Sequence, residues 1–176
     1  MTRVIGLAGW SGAGKTTLLI KLLPRLVAQG LEVSTIKHAH HSFDLDQPGK
    51  DSHSHRLAGA TEVLVSSAAR WALLHELRGA AEMRLEDLIG KLAPVDLVIV
   101  EGFKGASHPK VEVYRAALGK PPLHAHDPKI VAIAADVALP RAQVPVLGID
   151  DVEGIIEIIL AHAEPVKALT GRTEEA

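Results

Sequence analysis

The chain has 176 residues, enough for one ordinary domain with a hydrophobic core and too few for two independent enzymatic domains. Apolar residues make up 47% of the chain and the net charge is −2, so composition gives no reason to expect a nucleic-acid ligand. Cysteine is absent, which excludes disulfides and thiolate metal sites, and no apolar run approaches the roughly 20 residues of a membrane span. We therefore expect one globular domain without a membrane or nucleic-acid partner.

The first predicted strand leads directly into a phosphate-binding loop. The apolar residues 4–8 are followed by Gly9-Trp10-Ser11-Gly12-Ala13-Gly14-Lys15-Thr16, which fits G-x-x-x-x-G-K-[ST], and a helical pattern begins at Thr17. In this motif the glycines let backbone N–H groups surround a phosphate, the lysine reaches the β- and γ-phosphate oxygens, and the hydroxyl of Thr16 ligates Mg²⁺. The chain is therefore predicted to bind a nucleoside triphosphate.

The pattern of the remaining chain alternates between strands and helices. Leucines at helical spacing continue to Gln29-Gly30, a second strand is predicted over 31–37, and residues 38–50 lack periodicity, which is typical of a loop that covers a ligand. A short helix is predicted from Asp51 to Leu57. Two apolar runs then predict an antiparallel hairpin. A helix is predicted from the apolar residues Leu85, Leu88, Ile89 and Leu92. The later predicted elements are strands over 96–101, 110–114, 130–134 and 144–147 and a helix over 151–162.

This order predicts an α/β phosphate-loop nucleotide-binding fold. Its sheet should be mostly parallel, with helices on both faces, an antiparallel extension, and the ligand at the carboxyl ends of the strands. We expect a single domain over 1–165 with an antiparallel insert near 61–76, followed by a polar tail over 166–176. The additional strands favour an oligomer. No leader sequence is recognised at the N-terminus, which together with the nucleotide motif favours a cytoplasmic location.

Acidic residues supply the candidate magnesium and catalytic groups. Glu101 ends a buried strand, where its carboxylate can meet the ion beyond the phosphate loop, whereas Asp96 at the start of that strand is predicted to be structural. Asp44 and Asp46 lie in the loop after the second strand, in the place where related folds order a segment around the γ-phosphate. Either aspartate is a candidate to hold Mg²⁺ or to position the attacking water, and the alternative for both is an ordinary turn residue.

Ten histidines raise the question of a metal site, particularly His38, His40 and His41, with His53 and His55 nearby. Their spacing is not a recognised zinc pattern, and structural roles or contact with an anionic ligand remain open alternatives. His124 and His126 are predicted to be exposed to solvent. Lys50, His53, His55 and Arg56 lie within a few residues of one another and concentrate cationic side chains that can bind a phosphate or pyrophosphate group.

Four stretches of the chain resemble the MobB family of molybdopterin-guanine dinucleotide biosynthesis adapter proteins. They are Lys37-His38-Ala39-His40-His41-Ser42-Phe43-Asp44-Leu45-Asp46-Gln47-Pro48-Gly49-Lys50-Asp51-Ser52, His55-Arg56-Leu57-Ala58-Gly59-Ala60, Val100-Glu101-Gly102-Phe103-Lys104 and Pro109-Lys110-Val111-Glu112. The long first stretch is far more specific than the phosphate loop, which many unrelated nucleotide-binding proteins share.

The resemblance implies an intertwined homodimer that binds GTP, hydrolyses it slowly at most, and works beside a MobA-type guanylyltransferase as GMP is joined to molybdopterin. It also implies that Asp44, Asp46 and Glu101 lie around the ion, and that the segment 48–56 borders a site for molybdopterin or its guanine dinucleotide. The triphosphate and Mg²⁺ would be held by Gly12, Ala13, Gly14, Lys15, Thr16 and Thr17. The usual guanine-reading motif Asn-Lys-x-Asp is missing from the sequence, and Asp136, just after the predicted strand 130–134, is the candidate for that role.

Two other functions are compatible with the phosphate loop. A small-molecule kinase would share it, but such an enzyme needs a lid with several arginines, and the arginines here are scattered. A metal-insertion GTPase would account for the histidines, although the cysteine–histidine pairs that hold soft metals are missing.

Overall fold

The computed structural model describes residues 1–39 and 43–166, and the chain divides into two compact units. Unit 1 comprises residues 1–38 and the chain from residue 85 onward, and unit 2 comprises residues 39–84. The predicted tail over 166–176 lies outside the described residues apart from Val166. No helix in the described part of the chain is long and apolar enough to cross a membrane.

Unit 1 is built on a sheet with the parallel strand order β2-β5-β1-β6-β7-β8. A short last strand, β9, pairs antiparallel with the start of β1. The strands are β1 Arg3–Ala8, β2 Val33–Lys37, β5 Leu97–Glu101, β6 Lys110–Tyr114, β7 Ile130–Ala135, β8 Val146–Gly148 and β9 Glu164–Pro165. Because six strands run parallel, their carboxyl ends meet at one edge, which is where the phosphate loop lies.

Helices cover both faces of this sheet, as the sequence predicts. The helices α1, Lys15–Ala28, and α4, Val152–His162, bury Leu22, Leu26 and Ile155 against one face. The helix α3, Leu85–Ile89, packs on the other face with Val98 and Val100. Each buried leucine or isoleucine contributes about 1.5–3 kcal/mol to the hydrophobic stabilisation of the sheet.

Several element boundaries differ from the predicted ones. The first helix begins at Lys15 rather than Thr17, and α3 ends at Ile89 because Gly90 follows it. The second strand starts at Val33, after a turn in which the carboxylate of Asp96 accepts the N–H of Glu32 at 2.9 Å. That contact agrees with the structural role predicted for Asp96.

Unit 2 contains the helix α2, Asp51–Leu57, and an antiparallel hairpin of β3, Glu62–Ser66, and β4, Trp71–His75. The sequence predicts this antiparallel hairpin, which forms a two-stranded sheet of its own. Val63 is the one buried apolar side chain among the described residues of the unit. Arg78 donates hydrogen bonds to the carbonyls of Arg56 and Ala60, which satisfies backbone acceptors at the end of α2.

Candidate functional site

The phosphate loop connects β1 to α1 and has a shape that requires glycine. Gly9 adopts a φ of 149°, and a Cβ atom at this position would lie 2.5 Å from the carbonyl oxygen of Val113 on β6. Gly14 has a φ of 98°, in the left-handed region that other residues adopt only with strain. The loop is therefore shaped before any ligand arrives, as an anion cradle must be.

Lys15 lies within the curve of this loop. Its ammonium group donates to the carbonyl oxygens of Gly9 and Trp10 at 3.0 and 3.1 Å. Partial burial lowers the pKa of Lys15, Glu101 opposes this shift, and the positive charges of Lys104 and Lys37 lower the pKa further. Three cationic side chains therefore repel one another around the loop, and a bound polyanion would relieve that repulsion.

Thr16 and Glu101 form the oxygen pair beside the loop. The hydroxyl of Thr16 donates to the two carboxylate oxygens of Glu101, at 2.8 and 3.0 Å, and the Glu101 side chain is nearly buried. Ligands of Mg²⁺ lie about 2.0–2.1 Å from the ion at right angles, which places neighbouring ligand oxygens about 2.9 Å apart. The hydroxyl and carboxylate oxygens therefore fit two adjacent positions of a magnesium octahedron.

Lys37 is a member of this group that the sequence analysis did not assign to the site. It ends β2 and pairs in register with Glu101 at the end of β5. Its ammonium group lies 3.6 Å from the Glu101 carboxylate and 3.4 Å from the Thr16 hydroxyl. The signal that could have found it is its position as the last residue of a strand beside the strand of Glu101, because parallel strands bring their carboxyl ends together.

Arg115 and Asp136 lie on the other side of the loop, after β6 and β7. The guanidinium of Arg115 would lie 3.8 Å from a Cβ atom placed on Gly14, and it is also 3.8 Å from the carboxylate of Asp136. Asp136 accepts the backbone N–H of Ala116 at 3.0 Å. Asp136 therefore lies at the carboxyl edge of the sheet, where a residue that reads the guanine base is expected. Arg115, predicted to be one of several scattered arginines, adds a cation beside the phosphate loop.

Trp10 of the phosphate loop is fixed by the chain that follows β6. Its indole N–H donates to the carbonyl of Pro121 at 2.8 Å, and the ammonium of Lys104 lies 4.6 Å from the centre of the ring. Leu118 approaches within 3.6 Å of the position that a Cβ atom on Gly12 would take. The segment 115–121 thus forms a second wall of the phosphate loop.

Unit 2 places several of the predicted residues in one network of charges. Arg56 donates to the two carboxylate oxygens of Asp44 at 2.9 and 3.2 Å, and its Nε lies 3.2 Å from Glu76 and 3.8 Å from Asp46. The hydrogen bond from Arg56 and the backbone N–H of Asp46 hold the pKa of Asp44 below its usual range. Lys50 precedes α2 and its side chain is exposed. The guanidinium group of Arg56, predicted to bind a phosphate, is thus paired with the carboxylates of Asp44 and Glu76.

The histidines do not form a metal site in the described part of the chain, where no group of three histidine, aspartate or glutamate residues could hold an ion. His38 stacks on Phe103 with ring centres 4.5 Å apart, and His40 and His41 lie outside the described residues. The prediction that His124 is exposed is wrong. Its ring Nδ1 lies 3.1 Å from the buried carboxylate of Glu112, because the chain folds back over β6, whereas His126 is exposed as predicted.

Comparisons with known proteins identify one family. The family model described as MobB, molybdopterin guanine dinucleotide synthesis protein B, matches residues 4–136. Two of the similar proteins are each named molybdopterin-guanine dinucleotide biosynthesis adapter protein. The one from Escherichia coli is 41% identical over 163 residues, covering 91% of this chain and 93% of the relative. The one from Haemophilus influenzae is 36% identical over 161 residues, covering 90% of each chain.

A solved structure is similar in fold. The crystal structure of a MobB protein homolog from Bacillus stearothermophilus superposes with a TM-score of 0.67 at 25% identity, covering 96% of this chain and 99% of that one.

Proposed function

The chain belongs to the MobB family of molybdopterin guanine dinucleotide synthesis proteins, and on that basis we propose that it is a GTP-binding adapter that assists the attachment of GMP to molybdopterin. Its partner in that reaction would be a MobA-type guanylyltransferase, and its place of work the cytoplasm. The names of the relatives support a role in molybdopterin guanine dinucleotide biosynthesis. The phosphate loop supports a nucleotide ligand, which would either regulate the adapter or be delivered by it.

The observation that carries the proposal is the pair of Thr16 and Glu101 beside a glycine-shaped loop. Lys15 would bind the β- and γ-phosphate oxygens, and the N–H groups of the loop would surround the β-phosphate. Thr16 and Glu101 would hold Mg²⁺, which supplies positive charge against the phosphates. Lys37, freed from Glu101 as the ion takes the carboxylate, would remain available to pair with a γ-phosphate oxygen.

For hydrolysis, which would be slow at most, Asp44 and Asp46 remain our candidates to position water, with Asp46 also a candidate ligand of the ion. The bidentate contact from Arg56 supports a role for Asp44 as an ionised carboxylate. Asp136 remains our candidate to read guanine, because its second oxygen can accept hydrogen bonds from the base while the first accepts the N–H of Ala116.

We also propose a homodimer in which unit 2 takes part. The hairpin exposes Leu64, Trp71 and Leu73, which are 62%, 67% and 45% accessible to solvent, and α2 exposes Leu57. Large apolar side chains grouped on one small element are typical of a protein–protein interface. Sedimentation of Leu64→Ser and Leu73→Ser variants should show dissociation relative to the unmodified chain, and an unchanged sedimentation coefficient would exclude the hairpin from the interface.

The function itself is tested by magnesium-dependent GTP binding and by reconstituted GMP transfer. Calorimetry should show that Mg²⁺ strengthens GTP binding to the unmodified chain and to the Thr35→Ala control, which removes an exposed hydroxyl from the same sheet. In Thr16→Ala the effect of Mg²⁺ should be lost. The unmodified chain should accelerate formation of the dinucleotide by a purified guanylyltransferase, and Lys15→Ala should not. Absence of GTP binding, or of any acceleration, would contradict the proposal.

A further inference from the structure

Unit 1 contains a cavity of about 400 Å³ whose lining includes neither the phosphate loop nor the pair of Thr16 and Glu101. One wall is the segment 104–107, which joins β5 to β6, and the other is the segment 123–129, which precedes β7. Volumes of about 300–1,000 Å³ are typical of small-molecule sites. The side chains that give the cavity its character are those of Lys104, Ser107, Leu123, His126 and Lys129.

Both walls are attached to buried charges on β6. Lys110 is 1% exposed, and its ammonium donates to the carbonyl of Ala106 at 2.7 Å and to Asp127 at 3.1 Å. A buried charge is costly unless its hydrogen bonds are satisfied, so these contacts hold the first wall and the end of the second in one geometry.

Glu112 does the same for the second wall. It is fully buried, and its carboxylate accepts the backbone N–H groups of Leu123 at 2.6 Å and of His124 at 2.9 Å. The Nδ1 of His124 adds a third contact at 3.1 Å. In the stretch Pro109-Lys110-Val111-Glu112, the buried charges of Lys110 and Glu112 therefore shape this cavity.

The charge balance of the cavity favours an anion. Lys104 and Lys129 are exposed at its rim, together with His126. The acidic residue of the lining, Asp127, is already paired with Lys110 and with the backbone N–H of Lys129. The apolar atoms of Leu123 and Ala106 supply part of the rest of the lining. A ligand that suits this lining carries a phosphate and a partly apolar body.

The cavity adjoins the phosphate loop through Lys104. The ammonium of this residue lies over the Trp10 ring, and its charge acts on Lys15. Trp10 is in turn bound to Pro121, shortly before the second wall begins. A ligand in the cavity would therefore share Lys104 with the surroundings of the phosphate loop.

We propose that this cavity binds a phosphate-bearing pterin, and that Lys129 and His126 contact its phosphate. The inference rests on the proposed function, because the pterin is the second substrate of that reaction. It differs from the sequence-based prediction, which assigned the pterin to Lys50 and Arg56. In the structure Arg56 is bound to Asp44 and lies against Glu76, whereas Lys129 lies at the open rim of a cavity.

The test uses tryptophan fluorescence and a matched pair of pterins. In a Trp71→Phe background Trp10 is the remaining tryptophan, so its quenching reports binding next to the phosphate loop. The probes are the oxidised, fluorescent phosphopterin derived from molybdopterin and the same compound after phosphatase treatment. The variants are His126→Ala with Lys129→Ala, and Lys91→Ala as a control that removes an exposed lysine elsewhere in unit 1.

We expect the double variant to bind the phosphopterin at least tenfold more weakly, while the Lys91→Ala control and the GTP affinity of every variant stay unchanged. The phosphatase-treated pterin should bind weakly to all of them. Unchanged phosphopterin affinity in the double variant, or loss of affinity in Lys50→Ala with Arg56→Ala instead, would overturn the cavity assignment and leave the adapter function intact. If the unmodified chain binds GTP and accelerates GMP transfer but binds no phosphopterin, the cavity assignment fails and the adapter function stands.

Discussion

The two units of the chain are stabilised in different ways. Unit 1 buries continuous apolar clusters on both faces of a parallel sheet, and its charged groups are fixed at the carboxyl edge by strand ends and a glycine-shaped loop. Unit 2 buries Val63 as the one apolar side chain among its described residues, exposes much of its hairpin, and relies on the charges around Arg56. A packed sheet fixes a site independently of its ligand, whereas a charge network on a small hairpin can be rearranged by a partner or an anion.

The largest expected effect is on the preformed site of unit 1. Lys15→Ala should weaken GTP binding at least a hundredfold, because two charge-assisted hydrogen bonds to phosphate are together worth about 3 kcal/mol or more. Guanosine, which has no phosphate, should bind equally to both forms. Calorimetry measures the affinities, and hydrogen exchange of the hairpin amides should remain unchanged. Equal GTP affinity in the variant would remove Lys15 from the site.

The interior of unit 1 should make its stability dependent on pH through His108. The ring is fully buried, it packs where a Cβ atom on Gly6 would overlap it, and its two nitrogens have no hydrogen-bond partner among the described residues. Burial, reinforced by the charge of Lys110, lowers the pKa of His108 to about 4 from the ordinary value of 6.5.

Between these two values the unfolded chain binds the proton and the folded chain does not, so the stability present above pH 6.5 is lost as the pH falls toward 4. The loss is about 3 kcal/mol at most. Denaturant titrations at pH 7 and pH 4.5 should show a smaller loss in His108→Gln than in the unmodified chain, whereas the exposed His126→Gln should match the unmodified chain. An identical loss in His108→Gln would contradict the assignment.

A smaller effect is expected at the edge of the nucleotide site. Asp136→Asn should reduce the preference for GTP over ATP about tenfold, since an amide offers the guanine one acceptor and mismatched donors. The quantity to measure is the ratio of the two affinities by competition. A ratio that stays at the value of the unmodified chain would assign base recognition to another segment.

The smallest expected effect is local and concerns unit 2. Arg56→Ala should raise the hydrogen-exchange rates of the amides in α2 and the hairpin several-fold, because Asp44 and Glu76 lose their shared partner. Arg70→Ala, an exposed arginine in the turn of the hairpin, is the control. The amides of β1 and β5 should not change. Equal acceleration of exchange in both units would show that the charges around Arg56 do not stabilise unit 2 separately from unit 1.

The sequence by itself determined the features that depend on local patterns. The phosphate loop follows from its glycine spacing, the hairpin from two apolar runs, and the position of Glu101 at the carboxyl edge of the sheet from its place at the end of an apolar strand. These features were predictable because the geometry of a turn, a strand end or a helix start is set by neighbours in the chain.

The tertiary structure decided which distant residues meet. Lys37 and Arg115 approach the phosphate loop from the ends of strands far apart in sequence. The local pattern places Lys37 at the end of a strand, but only the order of the strands in the sheet brings it beside Glu101. The burial of Lys110, Glu112 and His108 is also a long-range result, since a charged residue on a strand is ordinarily exposed until another segment covers it. Composition and periodicity contain no information about that covering segment, because the contacts that neutralise a buried charge form only when the whole sheet and its connections have packed.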